Sequence, residues 1–174
     1  MLKKVVFMLL GICFGGPAFA ADLPVIQDFD LNRYLGRWYE IARLDHRFER
    51  GLEDVTATYS LRDDEKVKVV NRGYKPEKGS WSTATGKAKY AGSENEGRLL
   101  VSFFGPFYGG YNILHLEPDY SLALVGGDSP KYLWILSRKP SIPDSTYRSL
   151  QEKASKLGFP AQDLMLIPQE RQQP

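Results

Sequence analysis

The chain has 174 residues, 43% of them hydrophobic and 25% charged, with 23 Lys and Arg against 21 Asp and Glu. A formal charge of +2 argues against nucleic acid as a partner and against a membrane binder held by charge alone. Lys3 and Lys4 fall in the first twenty residues, so beyond them basic and acidic groups are equal in number at 21.

Lys3 and Lys4, an apolar run over 5–14 and the small residues of Ala18-Phe19-Ala20 have the pattern of a signal peptide. Cleavage after Ala20 is predicted, leaving 21–174 as a single exported domain. The apolar run falls well short of the ~20 residues that a membrane span requires. Leu10-Gly11-Ile12-Cys13 also resembles a lipoprotein cleavage site, although Ile12 occupies a place that wants a small residue. Acylation of Cys13 would put the protein on the outer membrane. Its removal with the leader would leave a periplasmic protein without cysteine, held by core and ladder alone.

In the mature part, 23–35 reads as a leading segment whose Phe29, Leu31, Tyr34 and Leu35 are spaced like a helical turn. Eight strands then recur at roughly ten-residue spacing, over 37–44, 54–61, 66–73, 82–90, 98–104, 111–117, 121–126 and 131–138. Turn residues separate them, among them Lys75-Pro76-Glu77-Lys78-Gly79 and Gly126-Gly127-Asp128-Ser129-Pro130. One helix follows, with Ser141 and Asp144 as a capping-box-like pair and Tyr147, Leu150, Ala154 and Leu157 on one stripe, stopped by Gly158 and Pro160. Residues 164–167 read as a short closing strand and 169–174 as a frayed tail. This order predicts an all-β, eight-stranded antiparallel up-and-down calyx barrel with one C-terminal helix packed outside.

Gly36-x-Trp38 opens the first strand and Arg138 ends the eighth, so the guanidinium is expected over the Trp38 ring, clasping the barrel seam. With Gly36-Arg37-Trp38, Val55-Thr56-Ala57-Thr58-Tyr59, Phe103-Phe104-Gly105-Pro106-Phe107-Tyr108-Gly109-Gly110-Tyr111 and Tyr132-Leu133-Trp134-Ile135-Leu136-Ser137-Arg138, the sequence resembles the lipocalins. It is most similar to their bacterial outer-membrane branch, related to apolipoprotein D. The family's second block, usually Thr-Asp-Tyr, appears only loosely as Glu117-Pro118-Asp119-Tyr120. The resemblance implies a non-enzymatic binder of small hydrophobic ligands, in this branch fatty acids and lysophospholipids or phospholipids, serving the envelope under stress. It implies no cofactor.

Barrel side chains alternate between inside and outside. Fixing Trp38 and Trp134 as inward puts Glu40, Ala42, Tyr132 and Leu136 inside, with Tyr59, Phe103 and other apolar residues. Asn71 and Asn112 are placed inside as hydrogen-bond partners for Glu40, whose buried carboxylate needs them. Inward alanines at 57, 84 and 88 predict open space, against the alternative of a filled core. On the rim, Arg47 and Arg50 are candidates for a phosphate or carboxylate, and Phe107 and Tyr108 for a lid. Tyr108 and Trp134 are the strongest candidates for ligand contact.

Two other classes compete. A lipid-modifying enzyme would have to use Glu40, since only His46 and His115 are present and His115 faces outward. No nucleophile elbow or close metal set is seen. A dimeric envelope scaffold would use the aromatic 103–111 segment as its interface, and the same segment would serve a peripheral membrane contact.

Overall fold

The structure, a computed structural model, describes residues 19, 21, 23–64, 66–171 and 173. Cys13 and all of the predicted leader but Phe19 lie outside the described residues. Eight strands form the barrel: β1 (Gly36–Arg43), β2 (Glu53–Leu61), β3 (Val67–Lys75), β4 (Ser80–Tyr90), β5 (Arg98–Phe104), β6 (Phe107–Leu116), β7 (Leu122–Gly126) and β8 (Leu133–Ser137). Each pairs antiparallel with the next, and β1 pairs with both β8 and β2, so the sheet closes on itself, while residues 80–86 of β4 run past the β5 pairing and pair only with β3. The expected calyx is thus present.

Two apolar clusters divide the molecule. An inner one lies within the barrel around Tyr34, Trp38, Tyr59, Val69, Leu99, Ile113 and Val125. An outer one joins Ile41, Leu124, Leu133 and Ile135 to Leu150 and Ala154 of the helix α2 (Asp144–Lys156). One narrow stripe suffices because α2 covers only one side of the wall. The Ser141–Asp144 box does not form: Pro143 takes the N-cap position, which leaves Ser141 two residues outside the helix.

The seam is built as the sequence implies. Gly36 has φ +97°, and an added Cβ would stand 3.3 Å from Arg138 Nη1. The Arg138 guanidinium lies 3.9 Å above the Trp38 ring and donates to the carbonyls of Arg33, Tyr34, Leu35, Arg37 and Tyr120. Beneath it the short helix α1 (Leu31–Tyr34), capped by Asp30 Oδ1, closes the floor. Tyr120 joins this floor although its block is atypical: its hydroxyl accepts from the Asp30 N–H and its ring carries the Arg33 guanidinium at 4.1 Å.

The tail is docked, which corrects the expectation of fraying. Pairing of β1 with β2 stops at Tyr39 and Thr56, and the C-terminal segment fills the gap beyond. A short strand β9 (Met165–Leu166) pairs with Ala42 and Arg43, and Ile167 N–H donates to Ile41 O. Gln169 Nε2 then bridges Glu40 O and Val55 O at 2.9 Å each. Asp54, fully buried with φ +51°, accepts from the Glu170 and Arg171 N–H groups and from Arg171 Nη1. Burial works to raise the Asp54 carboxyl, but these donors prevail and hold it below its ordinary range.

Candidate ligand-binding site

Trp38 marks the closed end, so the mouth lies at the other ends of the strands, near the turns that follow β1, β3, β5 and β7. Register fixes the inner face: Ala57, Asn71 and Ala84 lie side by side across β2, β3 and β4, and Ala88 pairs with Val101. In a filled barrel these inward positions would be the most buried. Instead Ala84 is exposed, and Ala57, Asn71, Gly86, Val101 and Phe103 keep partial access, while Tyr34, Trp38, Tyr59, Val67 and Val69 below them are buried. The inner face toward the mouth is therefore solvent-accessible above an aromatic floor, with Ala84 the most open position because β4 there has run past its pairing with β5. Gly86 is needed in this wall, because a Cβ there would meet the Phe103 ring at 2.8 Å.

The opposite part of the mouth is closed by the 45–52 loop. Arg43, fully buried, contacts Glu40 Oε1 at 2.6 Å through Nη1 and donates through Nη2 to the carbonyls of Glu49 and Leu52. Trp134 Nε1 donates to Glu49 Oε2 at 3.0 Å, and His46 Nε2 lies 2.9 Å from the same oxygen. Burial and the neighbouring Glu49 charge push the Glu40 carboxyl well above its ordinary value, against the pull of Arg43. Glu49 goes the other way: burial would raise it, but His46, Trp134 and Arg43 outweigh that. One guanidinium serving two buried carboxyl groups thus makes Glu40 the more readily protonated of the two.

Several predicted residues take their expected places. Glu40, Tyr59, Phe103 and Trp134 are on the inner face, and Tyr132, just before the start of β8, stacks on Trp134 with centroids 6.1 Å apart. Phe107 is at the hairpin tip, 76% exposed. Arg47 lies over Phe48 at 4.8 Å and borders a groove of about 470 Å³ outside the rim with Lys131, Tyr132 and Asp163. Arg50 is paired with Asp45 at 2.7 Å in solvent.

Three placements are corrected. Ala42 lies outside, under α2, because a bulge between Glu40 and Ala42 reverses the alternation and turns Arg43 inward instead. Asn112 is on the outer face: it pairs with Arg98 and Gly126, accepts from Arg98 Nη1, and donates toward Gly126 O and Gly127 O. It is therefore no partner of Glu40, whose partner is Arg43. Tyr108 also faces outward, its ring 4.8 Å from Lys89 Nζ and 5.8 Å from Lys87 Nζ. The 104–111 segment is the end of a β-hairpin rather than a lid, Phe104 pairing with Phe107 and Gly109 with Val101, so its alternation puts Tyr108 on the wall's exterior.

A closed calyx with an accessible apolar inner face and a helix on its outer wall defines a small-ligand-binding barrel of lipocalin type. The lipocalin-like domain family matches residues 29–169, and the chain belongs to the lipocalin family. The outer membrane lipoprotein Blc of Escherichia coli (strain K12) is 49% identical over 160 residues, covering 92% of this chain and 90% of that protein. Apolipoprotein D of Rattus norvegicus is 34% identical over 141 residues, covering 74% and 70% respectively. Among solved structures, insecticyanin from the tobacco hornworm Manduca sexta superposes with a TM-score of 0.68 at 20% identity over 84% of each chain, a likeness of fold. The export pattern at the N-terminus agrees with the Blc relatives: the protein is exported and envelope-associated.

Proposed function

We propose that this inner face forms a well that holds the acyl chain of a fatty acid or lysophospholipid in the bacterial envelope, and that the protein stores or carries this lipid without transforming it. The observation that carries the proposal is the partial access kept by Ala57, Val101 and Phe103 on an inner face whose floor is buried and aromatic. Burying ~10 methylenes contributes roughly 8 kcal/mol before association and ordering costs, enough for micromolar binding without a strong polar contact. Trp134, Phe103 and Ala57 would touch the chain. Arg47 and Lys131, beside the rim groove, would meet an anionic headgroup.

Glu40 supports binding rather than catalysis. Its carboxyl group is tied to Arg43, which in turn holds the carbonyls of the 45–52 loop, so its role is structural. Native mass spectrometry of the purified protein, with thermal shifts on adding stearic acid or lysophosphatidylcholine, tests the reading. A protein that stays empty and gains no stability with either lipid would sink it, and ester hydrolysis abolished by Glu40→Gln would replace it with an enzyme.

A further inference from the structure

At the bottom of the well three phenols converge. Tyr111 Oη lies 2.7 Å from Tyr34 Oη and 2.9 Å from Tyr59 Oη. Burial, first of all, raises all three above their ordinary range, so each keeps its proton. Three O–H groups therefore share two contacts, and one proton is left over. Tyr34 and Tyr59 are buried, whereas Tyr111 retains partial access and, paired with Leu99, belongs to the inner face. A stranded donor is costly in a buried place and cheap where something can accept from it. The arrangement that meets both conditions has Tyr34 and Tyr59 each donating to Tyr111, whose oxygen can accept twice, with the Tyr111 proton directed into the well.

We infer that Tyr111 is a deep polar subsite of the calyx, selecting acyl chains that carry an oxygen acceptor, such as a keto group, at the depth of its hydroxyl. This rests on the well being an acyl-chain site. A wall of Ala57, Ala84, Val101 and Phe103 alone would reject an oxygenated chain, because its oxygen would be stripped of water with nothing in return. With Tyr111 at the floor, one position along the chain is exempt, and ligands are sorted by where the oxygen lies.

The test measures affinities of stearic acid and a positional series of oxostearic acids for the full mature protein and for Tyr111→Phe and Tyr34→Phe. In the unmodified protein one isomer is expected to bind at least as tightly as stearic acid while the others bind about tenfold more weakly. Tyr111→Phe is expected to weaken the favoured isomer about tenfold relative to stearic acid and so to erase the preference, with circular dichroism checking that the variant is folded. Tyr34→Phe keeps the Tyr111 proton and is expected to keep the preference. Stearic acid bound with no favoured isomer, or with one unaffected by Tyr111→Phe, overturns the subsite alone. Failure to bind stearic acid and every oxostearate overturns the acyl-chain reading and the subsite together.

Discussion

Arg43 and Trp134 are register partners across β1 and β8, and both reach into the barrel mouth. They do so because one residue is bulged between Glu40 and Ala42, which converts an expected outward arginine into the centre of the Glu40–Arg43–Glu49 cluster. Removing one member of a buried charge set leaves the others uncompensated, so Arg43→Met is expected to cost about 3–5 kcal/mol at neutral pH. Adding Glu40→Leu should recover much of that loss. The single variant should also regain stability on acidification. A carboxyl raised in the folded state favours folding below its unfolded value and loses that contribution as pH rises through the folded one. Urea unfolding of the single and double variants between pH 5 and 8 checks all three outcomes.

Trp38 and Arg138 are expected to serve the fold rather than ligand contact. Trp38 is fully buried, its indole N–H donates to Tyr34 O at 2.8 Å, and the guanidinium covers a face of the ring. Trp38→Ala is expected to lose about 3–5 kcal/mol of stability and to retain lipid affinity in the folded fraction. Calorimetry alongside a titration with a fluorescent fatty acid separates the two, and a fully stable variant that no longer binds would reverse the assignment.

Tyr108 and Trp134 now make opposite predictions. Trp134→Ala removes an aromatic wall of the mouth and the donor to Glu49, so acyl-chain affinity should fall tenfold or more, on the order expected for a buried aromatic anchor. Tyr108→Ala takes a ring from between two lysines on the outer wall and should leave affinity unchanged. The same fluorescence titration decides. Equal losses from both variants would return Tyr108 to the site.

How far the sequence reaches is clear from these same residues. The seam is legible because a glycine-tryptophan pair and a terminal arginine have a fixed geometric relation in a closed barrel, and Tyr59, Phe103 and Trp134 follow from simple alternation. Ala42 is not legible, since a bulge inserts one residue with no composition signal of its own. Asn112 and Tyr108 fail for a related reason: their side is set by register against β5, which strand spacing alone cannot supply. The docked tail is hidden because Asp54, at positive φ, caps residues over a hundred positions away.

The tyrosine cluster predicts alkaline sensitivity. Tyr34, Tyr59 and Tyr111 are all raised by burial, so their folded forms hold protons that the unfolded chain begins to lose near its ordinary phenol value of about 10. Their contribution is complete below that value and declines as pH climbs above it. Unfolding free energy measured from pH 8 to 11.5 should drop in the upper half of this range, and the drop should shrink in Tyr59→Phe. Phenolate absorbance in the native protein should lag that of the unfolded chain. Coincident curves would show that the cluster is wet.

Phe104 and Phe107 form the last pair of the β5–β6 hairpin at the mouth end, 75% and 76% exposed, and Phe48 on the 45–52 loop is 57% exposed. Exposed rings beside the opening contribute nothing to the core, so Phe104→Ser with Phe107→Ser should change unfolding free energy by no more than about 1 kcal/mol. Their use would be against a lipid surface, where aromatic rings settle at the headgroup level and bring the open well to its ligand. The double variant is therefore expected to lose co-sedimentation with phosphatidylethanolamine–phosphatidylglycerol vesicles and to take up vesicle-borne lysophospholipid more slowly. Its affinity for stearic acid presented in solution should stay the same. Unchanged vesicle binding combined with a concentration-dependent loss of dimer in light scattering would assign the hairpin to a partner copy instead.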